Sequence, residues 1–343
     1  MKTNIATIYG IGLIALDIID EDEQLSYALQ AGGTCGNVLC LLATLGWNAY
    51  AVGRIASDPP GSRVLKDLSR CGVKTDLATL LPGAPTPVIV HRIRKSLSGE
   101  GTHSFSFFCP TCGHRLPRYR PISVAAAQVA AASISQIEVL FVDRVSPGVR
   151  RLAEHAKERD AIIYFEPSAS GDLKHTKALL EMAHILKYSQ ERRAEVRSFG
   201  SGRATLIEIE TLGSAGLRFR TALGASRERW IDMPAASVIS LKDAGGAGDW
   251  LTSGLIHNLC ANGLRALQTA SQDAIIESLV IGQRAAAWNC GFIGARGGMG
   301  VISRRDLAHI FDNDQSHVHA LRPNRHSRGA NRNSMKKTIC VVS

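Results

Sequence analysis

The sequence predicts an α/β protein with a mostly parallel sheet and helices on both faces. Two observations carry that expectation. Apolar runs of strand length alternate with helix-patterned runs along most of the chain, the order that βαβ units produce. The 343 residues are 45% hydrophobic and 20% charged, which excludes wholesale disorder and is enough chain to bury a large core.

Residues 5–16 read as a buried strand leaving into a loop marked by Gly10 and Gly12. Residues 37–45 have helical character and stop at Gly46, a natural C-cap. A strand over 49–55 follows, then an amphipathic helix over 61–71 with Val64, Leu65 and Leu68 on one face and Gly72 as its stop. Residues 88–93 are a strand running into a basic insert. Beyond it come a helix over 124–133, a strand over 139–142, a helix over 147–159 opened by Pro147, and a strand over 162–165. A helix over 174–183 and a strand over 185–187 continue the alternation. Residues 204–212 and 217–221 read as paired strands around Gly213 and Gly216, and 250–262 and 275–290 as long apolar helices. Right-handed crossovers are expected and no internal repeat is present. From 315 on, apolar periodicity gives way to Arg, Asn, Ser, Gly and Pro. The expected organisation is one body over 1–314 and a basic disordered tail over 315–343.

The net charge of +10, from 40 Lys+Arg against 30 Asp+Glu, is unevenly spread. The tail holds six Lys/Arg and no acid, and residues 92–120 hold six with one Glu. The remaining body is close to neutral, so nucleic acid is expected as a partner only through the tail. Of the 8 cysteines only Cys109 and Cys112 form a close pair, and the scatter fits a reducing compartment. The apolar run over 5–19 is broken by Gly10, Gly12 and Asp17 and lacks a small-residue cleavage site, so it is not read as a signal peptide. No stretch approaches the ~20 uninterrupted apolar residues of a membrane helix. A cytoplasmic protein is expected.

The segment Asp243-Ala-Gly-Gly-Ala-Gly-Asp249 opens directly into an apolar helix. Glycines let backbone N–H groups approach a ligand, and a helix N-terminus carries partial positive charge, so the segment is suited to hold a phosphate. Asp249 then stands as a base facing the bound phosphoryl group. A plain glycine turn with Asp249 capping the helix is the alternative for this stretch alone.

The segment resembles the second signature of the PfkB (ribokinase-like) carbohydrate kinases, D-T-x-G-A-G-D. Gly246-Ala247-Gly248-Asp249 and Asp243 match, and Ala244 replaces the usual Thr. Gly32-Gly33-Thr-Cys-Gly-Asn37 is similar to the family's first signature, G-G-x-x-x-N. Val52-Gly53, Asp58-x-x-Gly61 and Cys71-Gly72-Val73 match the run between them, with Ala56 where a glycine is usual. Thr211-Leu212-Gly213-x-x-Gly216 looks like the family's strand and turn beside the nucleotide, and Gly294-Ala295 resembles the segment closing the adenine pocket. The motifs stand in the family's order over nearly the whole body.

The resemblance implies a ribokinase-like three-layer fold with a small β lid from about 13–31 and 86–121. It implies ATP- and Mg²⁺-dependent phosphorylation of a sugar hydroxyl. Asp17, Gly32, Gly33 and Asn37 would bind the sugar, and Asp249 would take the proton from the attacking hydroxyl. The amides of Gly246, Ala247 and Gly248 would hold the transferring phosphoryl group. Lys187, Ser189, Thr211, Gly213, Gly216 and Gly294 would border the nucleotide. Asp243 and Gly245 lie in the segment that holds a monovalent cation (K⁺) in relatives, and the lid is often the surface of a homodimer.

The chain also departs from the family. Where N-x-x-E usually organises Mg²⁺, the run is Ser189-Gln190-Glu191-Arg192, with Arg192 in the acidic slot and Glu191 one position early. Either Glu191 substitutes or the metal is handled differently. Gly10-Ile-Gly12-Leu-Ile-Ala15 fits a dinucleotide fingerprint, but the acids from Asp17 to Glu23 that follow at once are hostile to a pyrophosphate.

In the insert, Cys109-Pro-Thr-Cys112-Gly-His114 has the shape of a zinc knuckle, and His103 and His114 would have to complete a tetrahedron. A reduced thiol pair without a metal is the alternative. Phe105, Phe107 and Phe108 read as lid core. His91, His155, His175 and His257 read as structural or exposed, Trp47 and Trp230 as packing residues, and Trp250 as pocket wall or core. Two rivals to the sugar kinase stand: a nucleoside kinase of the same fold, and a weakly catalytic, zinc-stabilised regulatory protein.

Overall fold

A computed structural model describes residues 5–21, 26–78, 85–95, 101–167, 172–200, 204–223, 229–312 and 334–336. Strands Thr7–Ile11 (β1), Ala15–Glu21 (β2) and Ser26–Gly32 (β3) lead to helix Thr34–Thr44 (α1), strand Asn48–Val52 (β4) and helix Pro59–Cys71 (α2). Strands Val88–Lys95 (β5) and Gly101–Ser106 (β6) follow, then Val124–Ser133 (α3), Val139–Val142 (β7), Pro147–Lys157 (α4) and Ile162–Phe165 (β8). Next come Leu173–Met182 (α5), Ile185–Ser189 (β9), Arg193–Phe199 (α6), Ile207–Thr211 (β10), Leu217–Thr221 (β11) and Ile231–Met233 (β12). Helices Ala247–Leu259 (α7), Gly263–Gln268 (α8), Gln272–Asn289 (α9) and Arg304–Ile310 (α10) complete the body, and Ser334–Lys336 (β13) is the last strand.

Eight strands form the main sheet in the order β12-β11-β10-β9-β8-β7-β1-β4. It is parallel from β4 to β10, and β11 and β12 add an antiparallel edge. Successive side chains of each strand enter opposite layers, as the two-residue period requires. Ile8, Phe141, Tyr164 and Ile209 pack toward α1, α7 and α9. Tyr9, Leu140, Ile163 and Leu186 pack toward α3, α4 and α5. Burial on both faces is why the central β7 (VLFV) and β8 (IIYF) are apolar throughout.

Five strands form a second, smaller sheet in the order β13-β3-β2-β5-β6. One of its faces, with Leu16, Ile18, Leu29, Val88 and Val90, joins the core. Asp17 and Ile19 of β2 and His91 of β5 alternate with those residues and face the other way. This sheet falls where the lid was expected.

The strands and helices expected between residues 37 and 290 form within a few residues of their bounds. The helix expected over 61–71 starts two residues earlier because Asp58 caps it, accepting the Gly61 N–H at 2.7 Å, and it stops at left-handed Gly72 (φ 98°).

Three expectations are corrected. The run over 5–16 is two strands, one in each sheet, because the chain bends after β1. At that bend Gly12 has no room for a side chain: a Cβ would lie 1.4 Å from Asp143 Oδ1, which accepts the Leu13 N–H at 2.8 Å. The tail is not without regular structure, since Ser334–Lys336 pairs antiparallel with Ser26–Ala28. An edge strand offers unpaired backbone groups, and a polar segment can meet them through its backbone alone. The rest of the expected tail beyond 312 lies outside the described residues. Finally, Phe105, Phe107 and Phe108 are exposed. They sit on or just past β6, the outer edge of the small sheet.

Candidate active site

The parallel strands of the main sheet set the position of the site. Asp143 follows β7, Glu166 follows β8, Ser189 ends β9 and Thr211 ends β10. All stand at the carboxyl ends of their strands, the edge where open α/β sheets hold ligands. Ser189 and Thr211 are register partners, and the turn after Thr211 brings in Gly213 and Gly216.

The loop before α7 is shaped by glycine. Gly246 is left-handed (φ 79°), and a Cβ there would lie 2.6 Å from Ala295 O. The Ala247 N–H donates to Ala244 O at 3.2 Å, and the N–H groups of Asp249 and Trp250 donate to Gly246 O at 2.8 and 3.1 Å. Among the described residues this leaves the Gly248 amide as the first-turn N–H with no backbone acceptor. Of the three amides expected to hold a phosphoryl group, that of Ala247 is already engaged.

Asp249 lies in the first turn of α7 and is buried. Its Oδ2 accepts a 2.7 Å hydrogen bond from Asn37 Nδ2. Burial, with Glu166 and Asp143 nearby, pushes its carboxyl up to about 7 against the opposing pull of the Asn37 hydrogen bond and Lys187. At neutral pH it is poised between accepting and holding a proton.

Lys187, expected beside the nucleotide, instead lies under the loop. Its Nζ donates to Glu166 Oε1 at 2.5 Å, Gly248 O at 3.1 Å and Thr252 Oγ1 at 3.0 Å. Thr252 Oγ1 donates to Glu166 Oε2 at 2.9 Å. All three ammonium donors are used, so Lys187 braces the start of α7 from below.

Asp17, on the lid face opposite the core, is fully buried. His91 Nε2 lies 3.2 Å from its Oδ2, but among the described residues neither carboxylate oxygen has a hydrogen-bond partner. Gln30 Nε2, His91 Nδ1 and His103 Nε2 are also buried without partners. Gln30 is Asp17's register partner on β3. Buried donors and acceptors left open are costly unless a ligand meets them. Gly32 makes room for this arrangement, since a Cβ there would lie 1.7 Å from Asp17 Oδ2. Gly33 (φ 77°) lets Leu13 O pass, at 2.4 Å from where a Cβ would be.

The small sheet is tied to the loop through Asp243. His103 Nδ1 lies 2.7 Å from Asp243 Oδ1, which also accepts the Gly245 N–H at 2.7 Å. The Gly294 N–H donates to Asp243 Oδ2 at 2.8 Å. Burial pushes the Asp243 carboxyl up, but these hydrogen bonds outweigh it and hold the group below its ordinary value. Gly294, expected at the nucleotide, thus holds the Asp243 loop.

The zinc tetrad is corrected. Among the described residues no group of three or more His, Cys, Asp and Glu is placed to hold a metal. His103 serves Asp243, while Cys109 and His114 meet through their backbones, Cys109 N–H donating to His114 O at 2.7 Å. Cys109 is buried and Cys112 exposed. His91, read as structural or exposed, is buried against Asp17. Trp250 is core, stacked on Phe311 with ring centres 5.5 Å apart. Glu191 is exposed at the end of β9, its carboxyl lowered by Ser189, and Arg192 pairs with Glu195 at 2.9 Å.

Glu166, Asp143, Thr252 and Arg296 were not singled out from sequence. For the two acids a signal existed, because each directly follows an apolar strand at the ligand-binding edge. Arg296, alone among glycines, offered none.

A model of the pfkB family carbohydrate kinases matches residues 6–299. No curated protein matches the chain. Among solved structures, a ribokinase from Giardia lamblia is 18% identical with a TM-score of 0.67, over 89% of this chain and 98% of that one. A fructokinase with bound ATP from Xylella fastidiosa is 17% identical, TM-score 0.67, over 89% and 97%. A nucleoside kinase from Burkholderia thailandensis in complex with inosine is 18% identical, TM-score 0.63, over 89% and 96%. At these identities the likeness is one of fold.

Proposed function

The chain belongs to the pfkB family of carbohydrate kinases, and from that premise we propose that it transfers the γ-phosphoryl group of ATP to a hydroxyl of a sugar or sugar-like substrate. The observation that carries the reading is the buried Asp249 carboxylate at the N-terminus of α7, raised to about 7 and beside an open amide. Asp249 takes the proton of the acceptor hydroxyl as its oxygen bonds to the γ-phosphorus and the bond to the bridging oxygen of ADP breaks. The Gly248 amide and the positive end of α7 carry part of the charge on the moving group. Phosphoryl transfer asks little more than such positioning and charge neutralisation.

The acceptor side is supported by the open oxygens of Asp17 and the open nitrogens of Gln30, His91 and His103. Together they supply acceptors and donors for several hydroxyls, as a polyol requires. The nucleotide would lie along Ser189, Thr211, Gly213 and Gly216. Glu191 fits a metal held through water, being solvent-facing and ionised; bound there, Mg²⁺ would neutralise phosphate charge. The Asp243 carboxylate serves His103, Gly245 and Gly294, so a monovalent cation there would be held by the backbone carbonyls of the loop around Asp243 and Gly245.

The test is ATP turnover by the purified full chain over a panel of sugars and nucleosides, with Asp249→Asn in parallel. Turnover with a sugar that Asp249→Asn abolishes supports the reading. Preference for a nucleoside moves the substrate class within the fold, and no turnover with any acceptor removes the reading.

A further inference from the structure

Arg296 is a buried cation in the loop after α9, next to the glycine and alanine that close on the α7 loop. Its guanidinium spends its donors on three separate segments. Nε donates to Asn37 Oδ1 of α1 at 3.1 Å. Nη1 donates to Cys71 Sγ at 3.2 Å and Nη2 to Asp67 Oδ2 at 2.8 Å, both on α2. Nη2 also donates to Ala31 O, and Asp67 Oδ2 in turn accepts the Ala31 N–H at 2.7 Å. Burying a charge is costly even when it is paired, so the question is what this one does beyond holding α2 to the lid.

The answer lies in the chemistry of Asn37. An amide has one acceptor end and one donor end, and which faces which neighbour is set by those neighbours. Arginine is donor-only, so Asn37 must turn its Oδ1 toward Arg296. Its Nδ2 then faces Asp249 and donates to Oδ2 at 2.7 Å. An ionised Asp249, being an acceptor, favours the same end, but a protonated Asp249 could donate to the amide oxygen instead; Arg296 keeps that oxygen engaged in either state.

We infer that Arg296 is a positioning residue for the base. By occupying Asn37 Oδ1 it fixes the Asn37 amide with its N–H toward Asp249, and so holds the Asp249 carboxylate in its proton-accepting form. The need for such a donor is visible in the surroundings. Asp249 is faced by Glu166 after β8 and Asp143 after β7, which oppose its ionisation, and by Lys187 of β9, which favours it. Cys35 of α1 and His91 of β5 also feel its charge. Among the described residues, Asn37 is the side chain that donates a hydrogen bond to it. The relay also couples the base to the closing loop, since neighbouring Ala295 O accepts the Trp250 Nε1 hydrogen of α7 at 2.9 Å.

The inference rests on Asp249 being the base, but its test does not need turnover. The full chain, labelled with ¹³C at aspartate carboxyls and assigned with Asp249→Asn, reports the midpoint of Asp249 directly. Asn37→Ala should raise that midpoint by about one pH unit through loss of the donor. Arg296→Met should raise it similarly, and the double variant should rise no further than Asn37→Ala. If Arg296→Met does not fold, Arg296→Lys takes its place: the ammonium follows Asp67 and leaves Asn37, giving a smaller rise that vanishes in the Asn37→Ala background. A folded Arg296 variant with an unmoved midpoint, or a rise that adds in full to that of Asn37→Ala, overturns the inference. A purely structural role would lower stability and leave the midpoint in place. Absence of ATP turnover with these midpoints observed would count against the kinase reading and leave the relay standing.

Discussion

Asn37 and Asp249, 212 positions apart in the chain, meet in a buried 2.7 Å hydrogen bond from Nδ2 to Oδ2. That contact joins the two family signatures into one site and separates catalysis from folding in a testable way. Asp249→Asn keeps the shape of the side chain and removes the proton acceptor. Turnover should fall by roughly 10²–10⁴-fold, the usual worth of a general base, with a melting curve close to that of the parent chain. Turnover near the parent level would remove Asp249 from the mechanism.

The pH dependence follows from the same carboxyl. A base works only when ionised, so with its carboxyl raised to about 7 the rate should climb with pH through that region and fall as pH drops below it. Glu166 is among the groups that push the carboxyl up. Glu166→Gln removes that negative charge and leaves Lys187 positive, so the acidic limb of kcat/KM should move to lower pH. An upward shift would mean that Glu166 acts through something other than its charge.

Lys187 and Glu166 should behave as one unit. The pair at 2.5 Å is nearly enclosed, with 2% and 15% side-chain exposure. Lys187→Met leaves Glu166 Oε1 and the Gly248 carbonyl without the ammonium, while Thr252 still donates to Glu166 Oε2. Breaking one side of such a pair costs about 3–5 kcal/mol, measurable by denaturant unfolding. Replacing both, as Lys187→Met with Glu166→Gln, should recover a large part of that loss. A single variant as stable as the parent would show that the brace carries no strain from the α7 loop.

How much of this was readable in advance follows from which interactions are local. The alternation of apolar runs showed the parallel sheet, because burial on both faces is written into each strand. Asp249 and its glycines were readable because a helix N-terminus and its loop are contiguous. What was missed is non-local. The family resemblance placed Lys187 beside the nucleotide, and only the fold reveals that Glu166, Gly248 and Thr252 use all its donors. The zinc knuckle was read from the Cys109-x-x-Cys112 spacing, which is local. His103, needed to complete the tetrahedron, lies on β6 with its Nδ1 2.7 Å from Asp243 Oδ1, and no such metal group forms among the described residues. Arg296 has no sequence pattern at all, since its role comes from three segments that converge on it.

The sharpest test of the acceptor pocket is a glycine. A Cβ at Gly32 would lie 1.7 Å from Asp17 Oδ2 and 2.1 Å from its Cγ, closer than any real contact allows. Gly32 is the last residue of β3 and is not left-handed, so alanine meets no backbone strain there and the clash falls on the carboxylate. Gly32→Ala should swing Asp17 out of the pocket. Losing hydrogen bonds to a charged group costs about 1.5–3 kcal/mol, or roughly 10- to 100-fold in KM for the acceptor, while KM for ATP stays near the parent value. Asp17→Ala should show the same acceptor defect, and the two changes together should be no worse than either, because both remove one carboxylate. If Gly32→Ala adds its full effect to Asp17→Ala, the glycine serves the backbone and Asp17 is not what it makes room for.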